Sequence, residues 1–274
     1  MTDDPLIGAA KAWWRTAIIN IAPGEIEVRG YSIEQLIGKI DFVSMIWLML
    51  RGDLPHPAQA AMLQAALVAS VDHGPQAPSI SIARMASTCG LGVNNAMASA
   101  INALGDVHGG AGQQCLEVYQ QVVAARQHGP EGEAAREAVL QAMRVHKRLP
   151  GFGHRFHPVD PRAEPLLGMV EEAVRSGNCA GHYLAAARTV SRVLQEAKGR
   201  PIPMNIDGAT AVIFGELGFT PLLARGLFIL SRSVGILAHA AEQMEQGGRI
   251  KGPMPTSIPY TYEGAPHRDL SAGT

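Results

Sequence analysis

Four short segments place a polar or charged side chain beside glycine or proline, between long apolar stretches. In Gly105-Asp106-Val107-His108-Gly109-Gly110-Ala111 a histidine precedes two glycines and a helix start. Free N–H groups at such a start lower an imidazole pKa, and a neutral imidazole can donate a hydrogen bond to a carbonyl or enolate oxygen. The plainer reading is a loop histidine with glycines needed only for turning. In Pro203-Met204-Asn205-Ile206-Asp207-Gly208, Asp207 fits a helix N-cap. Held among apolar neighbours its carboxyl would rise toward neutrality, which suits taking a proton from carbon. Pro150, Gly151, Phe152 and Gly153 form a backbone nest for an anion or a flat ligand, flanked by His154 and Arg162. Arginine offers a rigid fork to a carboxylate. Val71-Asp72-His73-Gly74-Pro75 ends an apolar run, where His73 can simply cap a helix.

Two further arginines complete the set. Arg232 lies inside a strongly apolar helical run, and positions 228, 229, 235 and 236 are Phe, Ile, Gly and Ile. No acid stands at helical spacing, so a partner must come from elsewhere, and a substrate carboxylate is one candidate. Arg249 begins the Pro- and Gly-rich tail, where most arginines are merely solvated.

The elements that must position these groups are mostly helical. Residues 17–21 and 25–28 around Pro23-Gly24 predict a small hairpin. After it, apolar spacing predicts helices over 33–50, 57–71, 83–89, 93–104, from Cys115 onward, 131–146, 161–174, 180–197 and 221–245. Asp160-Pro161 reads as a helix start. The apolar stretch from Ala209 to Ala241 is broken by Glu216, Gly218, Pro221, Arg225 and Arg232, so two buried helices are expected there rather than a membrane span.

Composition excludes several classes. With 47% apolar and 17% charged residues, much of the chain belongs in an interior or an interface. A net charge of -1 gives no general attraction to nucleic acid or anionic membranes, so an anionic substrate must be held by particular cations. Cys89, Cys115 and Cys179 suit neither a disulfide framework nor a zinc ribbon. The acidic start has no apolar core of a signal peptide, and a reducing cytoplasmic setting is expected. No phosphate loop, dinucleotide fingerprint or fixed-period repeat occurs.

Taken together, His-Gly-Gly-Ala, Pro-Gly-Phe-Gly-His…Asp-Pro-Arg, Asn-Ile-Asp and Ser-Arg-Ser-Val-Gly resemble the citrate synthase superfamily, from about Glu25 to Gly247. The chain looks most like the short citryl-CoA lyase group and the C-terminal part of ATP citrate lyase. The resemblance implies an all-α fold with a large lobe (1–110 and 212–274) and a small lobe (111–211), assembled as a homodimer or larger. It implies that His108 bonds the thioester carbonyl, that Asp207 takes the α-proton of acetyl-CoA, and that His154 polarises the ketone of oxaloacetate. His73, Arg162 and Arg232 match the groups that bind the dicarboxylate, and Arg249 loosely matches an arginine reaching from a second subunit. The Pro150–Gly153 turn resembles one lying along coenzyme A. Two departures, a shorter N-terminal region than typical synthases and one residue fewer between His154 and Arg162, favour a lyase over a full synthase.

The implied chemistry is cleavage of citryl-CoA to acetyl-CoA and oxaloacetate, or its Claisen-type reverse, with no permanently bound cofactor. A condensing enzyme for another acyl-CoA or 2-oxoacid and a non-catalytic ligand-binding paralogue are the alternatives. His73, His108, His154 and Asp207 lack the close spacings that seed zinc or iron sites, so no metal is expected.

Overall fold

A computed structural model describes residues 5–127, 132–154 and 157–269 of the 274-residue chain. The fold is mostly helical with one small N-terminal sheet, as the sequence predicts. Contacts group it into two compact units, residues 1–72 with 104–234, and residues 73–103 with 235–274. These boundaries differ from those of the expected lobes.

The first unit opens with α1 (Pro5–Trp13), an exposed helix that the sequence reading left unassigned. The hairpin follows as β1 (Ile19–Ala22) and β2 (Glu25–Val28), paired antiparallel with Ile19 opposite Val28. A short third strand, β3 (Tyr31–Ser32), extends it. Val28 is buried with Leu36 and Leu48 in a satellite cluster. The run expected as one helix over 33–50 divides into α2 (Ile33–Leu36) and α3 (Phe42–Arg51). Gly38 adopts φ +74°, and Asp41 caps the second piece by accepting from the Ser44 N–H at 2.7 Å.

The core of this unit surrounds α11 (Ile206–Glu216), whose residues from Gly208 to Gly215 are all buried. It packs against α4 (Pro57–Ser70), α7 (Ala111–Gln127), α9 (Ala163–Arg175) and α10 (His182–Lys198). α8 (Glu133–Val145) covers α7 and α10. Its expected start, Glu131, lies outside the described residues. Tyr119, Ile213 and Phe219 are among the largest buried side chains. Burying such a side chain contributes roughly 1.5–3 kcal/mol, so α11 is held by its surroundings more than by helix propensity.

The second unit contains α5 (Pro78–Thr88), α6 (Val93–Asn102) and the last turns of α12 (Pro221–Gln246). Arg84 on α5 pairs with Glu242 and donates to Gln246 at 2.7 Å. The tail is tied back by the Ile250 N–H to the Thr88 carbonyl at 3.0 Å. α12 is long and apolar enough to cross a bilayer, by length and composition only. It nonetheless carries Arg225 and Arg232, and its Ser231 hydroxyl donates to the Leu67 carbonyl, as suits a packed helix.

Candidate active site

The Pro150–Gly153 turn is stitched to the entrance of α11. The Gly153 N–H donates to the Pro203 carbonyl at 2.7 Å, and the Asn205 N–H to the Gly151 carbonyl at 2.9 Å. The Asn205 amide adds a bond to the Gly153 carbonyl at 2.7 Å. At Gly151, φ is +83° and a Cβ would sit 2.4 Å from Cys115 Sγ and 2.9 Å from Gly208 Cα. No side chain fits there, so the turn and the helix start stay in contact.

Asn205, rather than Asp207, caps α11, because its Oδ1 accepts from the N–H groups of Asp207 and Gly208 at 3.0 and 3.3 Å. The reading of Asp207 as an N-cap is thereby corrected, and its carboxyl is left for chemistry. That carboxyl lies against the first turn of α7, where a Cβ on Gly112 would come 3.9 Å from Oδ1. Burial raises its pKa, while Arg162 and Arg232 act in the opposite sense.

Both arginines are anchored. Arg162 donates through Nε and Nη2 to the two oxygens of Asp160, each at 2.9 Å. Asp160 is 1% exposed and also accepts the Ile206 N–H at 2.9 Å. Burial alone would push this carboxyl up, but the Arg162 donors and the Ile206 N–H outweigh it and hold its pKa at about 2. One edge of the fork expected to grip a substrate is therefore engaged by Asp160. The Asp160-Pro161 start also shifts, for α9 begins at Ala163 after a turn.

Arg232 is buried, and burial lowers its pKa against the pull of Asp72 and Asp207. Its Nε donates to the Ser70 carbonyl at 3.1 Å, and its guanidinium lies 5.0 Å from the centre of the Phe228 ring. Asp72 is thus an acidic neighbour that helical spacing could not reveal. With Arg162 Nη1 near the Ala69 carbonyl at 3.4 Å, both arginines also satisfy the last turn of α4.

His108 is half-buried in the loop before α7. Burial, reinforced by the Arg232 charge, lowers its pKa and favours the neutral ring. His154 is likewise lowered, by burial first and then by His157 and Arg162, against Asp160. Its Nδ1 accepts the His157 N–H at 3.0 Å, which puts the ring proton on Nε2. Arg155 and Phe156 of the same segment lie outside the described residues.

His154, Phe152 and Gly153 line one end of an open hollow of about 700 Å³. Lys147, Arg148, Lys198 and Arg200 line it too, with Met143, Leu149, Leu194 and Ile202 among the apolar walls. Sequence reasoning passed over these four cations, although Lys147-Arg148 directly precede the Pro150 turn. Arg232 thus acts on both His108 and Asp207, and Arg162 acts on both Asp207 and His154, all within the first unit. His73 and Arg249 belong to the second unit, where both are exposed.

The family model for the citrate synthase C-terminal domain matches residues 55–253, and the chain belongs to the citrate synthase family. A citrate synthase of Acidithiobacillus ferridurans is 32% identical over 220 residues, 78% of this chain and 54% of that protein. A citrate synthase of Haloferax volcanii is 31% identical over 207 residues, 74% of this chain and 52% of that protein. The chain spans about half the length of these curated relatives. Among solved structures, citryl-CoA lyase from Hydrogenobacter thermophilus superposes with a TM-score of 0.83 at 30% identity, covering 94% of this chain and 97% of that one. ATP citrate lyase from Methanothrix soehngenii, solved with citrate and coenzyme A, shares the fold with a TM-score of 0.77 at 22% identity, over 96% of this chain and 45% of that one.

Proposed function

We propose that the chain is a citryl-CoA lyase, cleaving citryl-CoA to acetyl-CoA and oxaloacetate by acid–base chemistry. The observation that carries this reading is the buried Asp207 carboxyl, left uncommitted because Asn205 caps α11, with the Arg232 charge acting on both Asp207 and His108. The likeness to the Hydrogenobacter lyase over nearly its whole chain favours cleavage over the full synthase reaction. The cationic hollow beside the Gly151–Gly153 nest suits the phosphates of coenzyme A.

In the cleavage direction the tertiary hydroxyl of citryl-CoA gives its proton to His154 Nε2. The ring proton must first move to Nδ1, which opens the bond from His157. The carbon–carbon bond breaks, leaving a ketone and a thioester enolate. His108 donates to the enolate oxygen, and protonated Asp207 delivers its proton to carbon. A raised carboxyl pKa favours this acid role. Run backward, His154 donates from Nε2 to the ketone and ionised Asp207 removes the α-proton. Arg232 and Arg162, the latter already held by Asp160 and the Ala69 carbonyl, attract the substrate carboxylates by charge, and His73 and, from a second subunit, Arg249 are the further carboxylate partners of this reading.

The large lobe (1–110 and 212–274) and the small lobe (111–211) closing on substrate, a homodimer, and a reducing cytoplasmic setting belong to the same reading. Exposed Leu222, Leu230 and Val234 on α12 support self-association, and sedimentation velocity checks it. Incubation with citryl-CoA under malate dehydrogenase coupling tests the activity, with citrate assayed in parallel. Oxaloacetate without citrate is expected. Citrate release identifies a synthase-type reaction, and no turnover favours a non-catalytic paralogue or a different acyl-CoA.

A further inference from the structure

The loop that carries His108 is held by one face of α12. Arg225, Phe228 and Arg232 recur at three- and four-residue spacing, so they form one stripe. Arg225 Nη2 donates to Asp106 Oδ1 at 2.5 Å. The Phe228 ring sits under the loop, 3.1 Å from where a Cβ on Gly109 would lie. Arg232 follows against Phe228 and acts on His108. The loop is also closed on itself, by a bridge between Gly105 and Gly109, and the Gln114 amide donates to the Asp106 carbonyl at 3.2 Å. At Gly110 a Cβ would meet the Asp106 carbonyl oxygen at 2.6 Å and Arg225 Nη2 at 2.9 Å. Backbone and guanidinium are pressed together two residues from the histidine.

The Arg225 and Asp106 side chains are 21% and 77% exposed. A pair with one partner so exposed adds little to stability. Its consequence is geometric, because Asp106 stands two residues before His108 in a segment with no regular structure of its own. We propose that Asp106 and Arg225 form a latch that fixes where the His108 imidazole is presented, making both of them positioning residues. This rests on the reading that His108 bonds the thioester oxygen. Displacement of a donor by about an ångström can cost on the order of 100-fold in rate.

The test uses the full chain with Asp106→Ala, Asp106→Glu and Arg225→Lys. Initial rates with citryl-CoA, melting temperature and the His108 ring-nitrogen NMR resonances are read for each. For Asp106→Ala the expected result is a kcat at least about 10-fold lower, with KM within about twofold, an unchanged melting temperature and a shifted His108 resonance. Asp106→Glu is expected to restore most of kcat, because the carboxylate can still reach Arg225. An unchanged kcat and resonance in Asp106→Ala overturns the latch. So does a loss of activity that follows melting temperature and is not rescued by Glu or mirrored in Arg225→Lys. Should the wild-type protein fail to cleave citryl-CoA, the functional reading falls, and the resonance shift alone decides whether the latch exists.

Discussion

Replacing Asp160 by Asn keeps the shape of the most constrained ion pair in the site and removes its charge. The native carboxyl is buried, binds both Nε and Nη2 of Arg162, and is held at a pKa of about 2 against an ordinary 3.8. At about 1.4 kcal/mol per unit, that depression corresponds to about 2 kcal/mol of stability near pH 7. A group whose folded pKa is depressed stabilises fully above its unfolded pKa and loses that contribution as pH falls through its folded pKa. About half remains at pH 3, and little below pH 2. Asp160→Asn should therefore unfold in urea with a free energy about 2–3 kcal/mol lower at pH 7, with the gap to wild type closing between about pH 4 and pH 2. Activity should fall as well, because Ile206 and Arg162 lose their common acceptor at the start of α11. Urea titrations at stepped pH measure this directly. A gap below about 1 kcal/mol at pH 7, or one that stays constant down to pH 3, would refute the assignment of Asp160 as the charged clamp.

His108→Ala should lower kcat for citryl-CoA by about 100-fold, or about 3 kcal/mol in the barrier, with the circular dichroism spectrum unchanged. Because burial raises the Asp207 pKa, cleavage rates should fall as pH rises above it, and condensation rates should fall as pH drops below it. Initial rates measured in both directions across pH 4–9 should therefore show opposite limbs. Arg148→Ala and Lys147→Ala should raise KM for the coenzyme A thioester several-fold, more strongly at low salt, with kcat little changed. A response in kcat alone would remove the phosphates from that hollow.

Local chemistry in the sequence located much of this. Pro23-Gly24 marks the hairpin turn, Gly218 separates α11 from α12, and the Gly151–Gly153 segment is a turn against α11. What it missed is set by contacts distant along the chain. Asn205 takes the cap because its side chain also bridges to the Gly153 carbonyl, 52 residues away. Asp160 accepts the N–H of Ile206, 46 residues on, while it holds Arg162. Asp72 influences Arg232 only after α4 and α12 pack together. The break between α2 and α3 was present in Gly38 and Asp41, but the apolar pattern on both sides masked it. α1 escaped notice because its side chains from Leu6 to Trp13 are all exposed and show no buried face, although Asp4-Pro5 offered the same start signal as Asp160-Pro161.

The central claim is that Asp207 passes a proton to the carbon released by cleavage. Citryl-CoA turned over in D2O tests it, with mass spectrometry of the acetyl-CoA methyl group in wild type and Asp207→Asn. One deuterium per acetyl-CoA, formed in step with oxaloacetate, is expected for wild type, with a rate at least about 100-fold lower in the variant. A variant that deuterates and cleaves at the wild-type rate would contradict the account.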